Sequence, residues 1–242
     1  MDVHELIRSF DDEFSRIGAK REQYGDVCGY PLVAYRLGDG ARRGYVSAGM
    51  HGDEPAGPLA LLELLREGFF KPTGISWVIC PVLNPTGLAL AQRENHQGED
   101  LNRDYLSRRT DEVAGHARWL DGASYDFALS LHEDWESTGF YYYEINQGED
   151  CPERYALISA AVGEVMQMEP EQVIDDHNVR KPGWIYHECE PDEPERWPEA
   201  IFLAKIGCPL SFTFETPSSA PLELRVQAHK AAMRSALAVC LP

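Results

Sequence analysis

Gly44-Tyr45-Val46-Ser47-Ala48-Gly49-Met50-His51-Gly52-Asp53-Glu54-Pro55 runs from an apolar stretch into a tight turn, and a helical pattern over residues 59–65 follows. A strand-to-helix junction of this kind is where open α/β sheets place their chemistry. The turn carries His51 and Glu54, whose types and spacing suit them to hold one zinc ion from two sides. His-x-x-Glu recurs by accident in many chains, so its weight depends on what lies downstream.

Working outward, residues 3–18 carry Val3, Leu6, Ile7, Phe10, Phe14 and Ile17 at helical spacing, which predicts an amphipathic opening helix. Strands are expected at 31–36 and 44–49, a helix over 58–67, and a strand buried on both faces over 75–83. Asn84-Pro85-Thr86-Gly87 breaks that run with turn chemistry. Residues 92–109 form a polar, charged loop, and a helix over 111–121 leads to an apolar strand over 127–131 that ends at His132. A β-prone aromatic stretch over 140–145 precedes a helix over 155–168. The proline- and acid-rich segment 175–199 reads as a lid or inserted loop. A last buried strand over 209–214 and a closing helix over 222–241 complete the pattern. Alternating strands and helices predict an α/β fold, a single domain over 1–242 with a mixed, mostly parallel twisted sheet and helices on both faces.

The 242 residues are 43% hydrophobic, enough for a sizeable core, and 26% charged. The net charge of −18 argues against nucleic acid or an anionic membrane as the main partner. An anionic substrate needs a local arginine cluster to overcome that field. No stretch approaches 18 consecutive apolar residues, and the acidic start Met1-Asp2-Val3-His4-Glu5 resembles no export signal. The six cysteines are scattered without Cys-x-x-Cys and are expected as free thiols, so a cytoplasmic location is expected.

A catalytic zinc commonly takes three protein ligands. His132, at the end of its strand, is the candidate third beside His51 and Glu54. His4, His96, His116, His177, His187 and His229 have no such context and are read as surface residues. Hydrolysis also needs a base near the metal but not bound to it. Glu215 ends the apolar strand Ser211-Phe212-Thr213-Phe214-Glu215, where a carboxylate without a role is expensive to bury. The loop holding Arg93 and Asp100-Leu101-Asn102-Arg103 adds arginines able to grip a carboxylate or an oxyanion. Asp100 could fix the tautomer of a metal-bound histidine.

Taken in order, His51-x-x-Glu54, Arg93, Asp100-Leu101-Asn102-Arg103, His132 and Glu215 resemble the zinc carboxypeptidase superfamily, the carboxypeptidase A-like enzymes and their relatives, over residues 44–217. The resemblance implies one zinc ion per chain on His51, Glu54 and His132, with Glu215 as general base and acid. It also implies that Arg93 stabilises the oxyanion, that Asn102 and Arg103 bind a substrate carboxylate, and that Asp100 supports His51. For the family's mobile tyrosine, Tyr186 is the candidate, with Tyr141, Tyr142 and Tyr143 read as strand residues of which one could line the pocket.

Two branches share such a site. Carboxypeptidases, including short bacterial murein-peptide amidases, cut a peptide-type bond beside a free carboxylate. Relatives of succinylglutamate desuccinylase and aspartoacylase deacylate N-acyl amino acids and generally continue into a β-rich domain, for which the single helix after Glu215 leaves no room. The expectation is therefore a zinc metallocarboxypeptidase acting on a small peptide. N-acyl amino acid deacylation is the alternative, and an idle carboxylate-peptide-binding zinc module is the non-enzymatic one.

Overall fold

Runs of buried residues, rather than alternating ones, form the central strands of an eight-stranded sheet covered on both faces. The computed structural model describes residues 1–70 and 74–240. Helix α1 (Val3–Arg16) is followed by strands β1 (Lys20–Val27), β2 (Tyr30–Leu37) and β3 (Arg42–Ala48). Next come helix α2 (Ala56–Arg66), strand β4 (Ile75–Cys80), helix α3 (Pro85–Leu90), a single 3-10 turn (Leu101–Arg103) and helix α4 (Asp111–Leu120). Strands β5 (Phe127–Asp134) and β6 (Tyr141–Asn146) flank a loop and lead to helix α5 (Glu153–Gly163). The short pair β7 (Val173–Ile174) and β8 (His177–Asn178), strand β9 (Trp184–His187), helix α6 (Glu199–Lys205), strand β10 (Leu210–Pro217) and helix α7 (Leu222–Cys240) follow.

The strand order is β1-β2-β4-β3-β5-β10-β6-β9. The block β4-β3-β5-β10 is parallel, β6 runs antiparallel to β10, and β9 runs parallel to β6. Strands β1 and β2 join as an antiparallel pair at the other side. The mostly parallel α/β sheet expected from the sequence is therefore present. One face packs Val46, Leu129, Leu131, Phe212 and Phe214 against α1, α2, α5 and α7. The other packs Tyr45, Val78, Cys80 and Ala128 against α4 and α6. No helix among the described residues is long and apolar enough to cross a membrane.

Several expected elements differ. Asn84-Pro85-Thr86-Gly87 is a helix start: the Asn84 side chain caps Gly87 N–H at 2.8 Å, and Pro85 opens α3. Helix α5 stops at Gly163, short of residue 168, because Met168 bridges Phe140 and the Glu169 N–H donates to Phe140 O. Segment 175–199 is not one long loop, since β9 within it extends the sheet beside β6. Strand β1 and helix α6 were not expected at all. The last residue of the expected closing helix, Leu241, lies outside the described residues.

One buried ion pair fastens both covering helices to the end of β5. The Glu133 side chain is fully buried, accepts from Ala56 N–H at the start of α2 at 2.7 Å, and pairs with Arg225 of α7. Burial pushes its carboxyl up to about 7 despite both partners. Arg225→Ala leaves that carboxylate without its countercharge and is expected to destabilise the protein by about 3 kcal/mol in urea titrations at pH 8. The folded state then holds a proton that the unfolded state releases near the ordinary glutamate value of 4.5, so stability falls as pH rises. The loss should accordingly be smaller at pH 5 than at pH 8.

Candidate metal centre and cleft

The parallel strands deliver their C-terminal ends to one edge of the sheet. At the end of β3, Gly49 takes φ +64, a left-handed conformation that glycine adopts without strain, and its carbonyl accepts from Asn84 N–H at 2.8 Å. Gly52 then packs against backbone: a Cβ there would lie 1.8 Å from the Gly87 carbonyl carbon. Gly52 N–H and the Asn84 side-chain amide both donate to Arg93 O, at 3.4 and 3.3 Å. The Asn84-Pro85-Thr86-Gly87 segment is thus the bed on which the His51 turn and Arg93 lie.

His51 and Glu54 project from this turn toward His132 of β5. The Glu54 carboxylate reaches both rings, at 2.5 Å to His51 Nδ1 and 3.0 Å to His132 Nδ1. All three residues are buried, and one donor atom from each lies within 4.8 Å of the others. Two imidazole nitrogens and one carboxylate, largely shielded but opening on a cleft, form a donor set that suits a zinc-type divalent ion. Behind the triad, Asp100 Oδ1 lies 3.2 Å from His51 Nε2 while also capping Asn102 N–H at 2.9 Å. That contact fixes the tautomer that presents Nδ1. Arg93 donates from Nε to Asp100 Oδ2 at 3.1 Å and brings Nη1 to 3.2 Å from His51 Nδ1.

Glu215 of β10 stands in register with His132, and in a parallel pair such neighbours share a face of the sheet. Tyr141 flanks it on the other side across β6. Desolvation pushes the Glu215 carboxyl well above the usual range; His132 opposes this, and the charges of Glu54, Asp134 and Asp175 add to it. Glu54 moves the opposite way, because the two histidines outweigh the cost of its burial. The protein's own charges also raise His51 to about 9, burial being outweighed chiefly by Glu54 and Asp100.

The cleft over this centre is lined by Arg93, Asn102, Arg103 and Glu215 along with the triad, so the sequence candidates converge. Tyr186 does not join them. It pairs with Glu144 across β9 and β6, on the face opposite Tyr143 and His187, and its hydroxyl donates to Asn146 O at 3.4 Å. Tyr141 and Tyr143 line the cleft instead. Two histidines read as surface residues, His116 and His229, are fully buried, and burial drives both down to about 3. His177 and His187 lie on the cleft wall.

Glu199 was missed too, because it closes an acid-rich stretch with the look of solvated loop. At the start of α6 it is buried and lines the cleft. Its Oε1 accepts from Tyr45 Oη at 2.6 Å, and its Oε2 accepts from Ser47 and Ser130 at 2.6 and 3.0 Å. Tyr45 Oη in turn lies 3.1 Å from His116 Nε2, and Tyr105 Oη lies 2.8 Å from His116 Nδ1. Glu199 N–H donates to Asn102 Oδ1 at 2.9 Å, which leaves the Asn102 Nδ2 protons for the cleft.

Comparison with known proteins agrees with this geometry. A candidate metallopeptidase of Shewanella denitrificans is 27% identical and superposes with a TM-score of 0.85, covering 100% of this chain and 91% of that one. Murein-tripeptide amidase MpaA of Escherichia coli O157, 15% identical over 93% of this chain and 95% of its own, shares the fold at a TM-score of 0.61. Carboxypeptidase SOL1 of Arabidopsis thaliana is 26% identical over 159 residues, 54% of this chain but only 32% of that protein. The chain thus spans about a third of that curated relative's length. A family model, the succinylglutamate desuccinylase/aspartoacylase catalytic domain, matches residues 41–234. The chain therefore belongs to the succinylglutamate desuccinylase/aspartoacylase catalytic-domain family, a group of hydrolases within the metallocarboxypeptidase fold.

Proposed function

We propose that this chain is a zinc-dependent hydrolase of the metallocarboxypeptidase type that cuts an amide bond beside a free carboxylate. One observation carries the reading: the buried His51–Glu54–His132 triad stands next to a carboxyl, Glu215, in register with His132. Zinc held by these three residues would supply a Lewis acid to polarise the scissile carbonyl and acidify a water. Glu215, with its raised affinity for protons, is suited to take the proton from that water and pass it to the departing amine. Glu54, pulled toward the charged form, stays available as a ligand. Two carboxyls in one site pushed in opposite directions can serve as anion and proton carrier.

Arg93 sits at the triad's edge, tethered by Asp100, where its guanidinium can stabilise charge developing on the carbonyl oxygen. Asn102 and Arg103 would receive the substrate carboxylate. The amide orientation of Asn102 supports this, since its oxygen is engaged by Glu199 N–H and only donors remain. The Arg103 guanidinium there offsets the acidic net charge locally, and the Asn102 amide adds neutral donors. The reading places the substrate among small peptides and the protein in the cytoplasm.

A second reading, removal of an acyl group from an N-acyl amino acid, is favoured by the family model that matches residues 41–234. The two differ in the group on the acyl side of the amide, a peptidyl chain in the first and a simple acyl group in the second, while the free carboxylate lies on the amine side in both. Incubating zinc-loaded protein with peptides, murein tripeptide and N-acyl amino acids, and identifying products by mass spectrometry, separates them. Release of a C-terminal residue supports the first, and acyl release from N-acyl amino acids alone replaces it with the second.

Glu215→Gln is expected to lower kcat by at least about 100-fold while retaining zinc at the triad, whereas His132→Ala loses that zinc. Full activity in the glutamine variant would remove Glu215 from the role. Asp100→Ala is expected to weaken zinc binding at the triad by about 10- to 100-fold in competition with a chelating dye, because His51 loses the partner that fixes its ring.

A further inference from the structure

A second histidine–carboxylate cluster stands on the wall of the same cleft, built from elements that the triad does not use. His177 comes from β8, His187 from the end of β9, and Asp192 from the loop that follows. His177 Nε2 lies 3.4 Å from Asp192 Oδ2, and His187 Nε2 lies 3.5 Å from Asp192 Oδ1. One donor atom from each of the three residues lies within 4.8 Å of the other two.

Those separations exceed ordinary hydrogen-bond lengths. They match the spacing of two donor atoms on one tetrahedral ion, which is about 3.3 Å for zinc bonds of about 2.0–2.2 Å. The state of the His187 ring points the same way. Its Nδ1 contacts the Glu188 carbonyl, which can only accept, so Nδ1 carries the proton. In the neutral ring Nε2 is then a lone pair facing a carboxylate oxygen. Two such acceptors repel unless a cation lies between them. A histidine whose Nδ1–H is tied to a backbone carbonyl is also the arrangement that readies Nε2 for a metal.

The cluster is braced from below. The Tyr143 ring meets His177 and His187 edge-on, with centroids 5.7 and 5.9 Å apart, and its hydroxyl donates to Asp175 Oδ2 at 2.7 Å. Asp192 is well exposed, while the two histidines are largely covered. Two donors are therefore set in advance by the fold, and the third arrives on a loop.

We propose that His177, His187 and Asp192 form a second metal site, distinct from the triad, for a divalent first-row transition ion of the zinc class. Imidazole and carboxylate donors together suit that class. The ion fastens the loop after β9 to the cleft wall. Because Asp192, Glu193 and Arg196 line the cleft, occupancy of this site shapes the cleft mouth.

The test uses the full chain, stripped with a chelator and dialysed against graded Zn2+, with bound zinc measured by mass spectrometry. The wild type is expected to saturate at two ions per chain, and Asp192→Asn and His187→Ala at one fewer. The asparagine variant keeps the size of an exposed side chain, and circular dichroism checks that it folds. The double variant His51→Ala/His132→Ala should retain the second ion, and the comparison of wild type with Asp192→Asn stands even if that double variant does not fold. Zn2+ should also slow trypsin cleavage after Arg196 in the wild type but not in Asp192→Asn. Equal saturation of the wild type and Asp192→Asn, at one ion or at two, would overturn the proposal whatever the activity of the enzyme.

Discussion

The backbone contact between Gly52 and Gly87 is the constraint on which the centre depends. It lets the turn after β3 lie flat on the start of α3, and any side chain at position 52 would push the two apart. From that contact follow the positions of His51 and Glu54 on one side and Arg93 on the other, since the Arg93 carbonyl binds both Gly52 and Asn84. The remaining groups come from the sheet itself. Parallel pairing of β5 with β10 sets His132 beside Glu215. Two backbone devices, a glycine contact and a strand register, thus position five side chains that are far apart in sequence.

The charges in this region are sorted rather than merely gathered. Glu54 and Asp100 are drawn toward the ionised form by histidines and Arg93, while Glu215 is drawn toward the protonated form by its burial beside other acids. Glu133, one residue along from His132 on the opposite face, answers to Arg225 and Ala56 instead. Alternation of the strand turns the Glu133 side chain toward α2 and α7, although the charge of Glu54 still adds to the upward push on its carboxyl. A chain with a net charge of −18 can therefore place several acids together without their acting alike.

The meeting of His51, Glu54, His132 and Glu215 was legible because each falls where a run of hydrophobic residues stops, whereas the Arg93–Arg103 loop stood out only as a polar, charged segment and took its place from the family resemblance. The misses have physical reasons. Strand β1, Lys-Arg-Glu-Gln-Tyr-Gly-Asp-Val, is a mostly exposed edge strand without hydrophobic alternation. Helix α6 spans only seven residues, too few for a period to emerge. The side to which Tyr186 points is set by pairing of β9 with β6, a long-range register that no local pattern encodes. His177, His187 and Asp192 meet only after the same edge strand has been added, so their proximity was equally invisible. Glu199 resembled its acidic neighbours and differs from them only in finding three hydroxyl donors in the core.

The row of groups that ends at Glu199 has a direction. Burial keeps His116 neutral, so its ring offers one donor and one acceptor. Glu199 must accept from Tyr45, so Tyr45 accepts from His116 Nε2–H, and His116 Nδ1 accepts from Tyr105. No hydroxyl in the row can turn around without stranding its neighbour. Like a compass needle held at one end, the row keeps a fixed polarity, and the end that opens on the cleft is always the accepting one. The row therefore ends at the cleft wall in a carboxylate already supplied by Tyr45, Ser47 and Ser130, while Asn102 beside it keeps its Nδ2 protons for an incoming molecule.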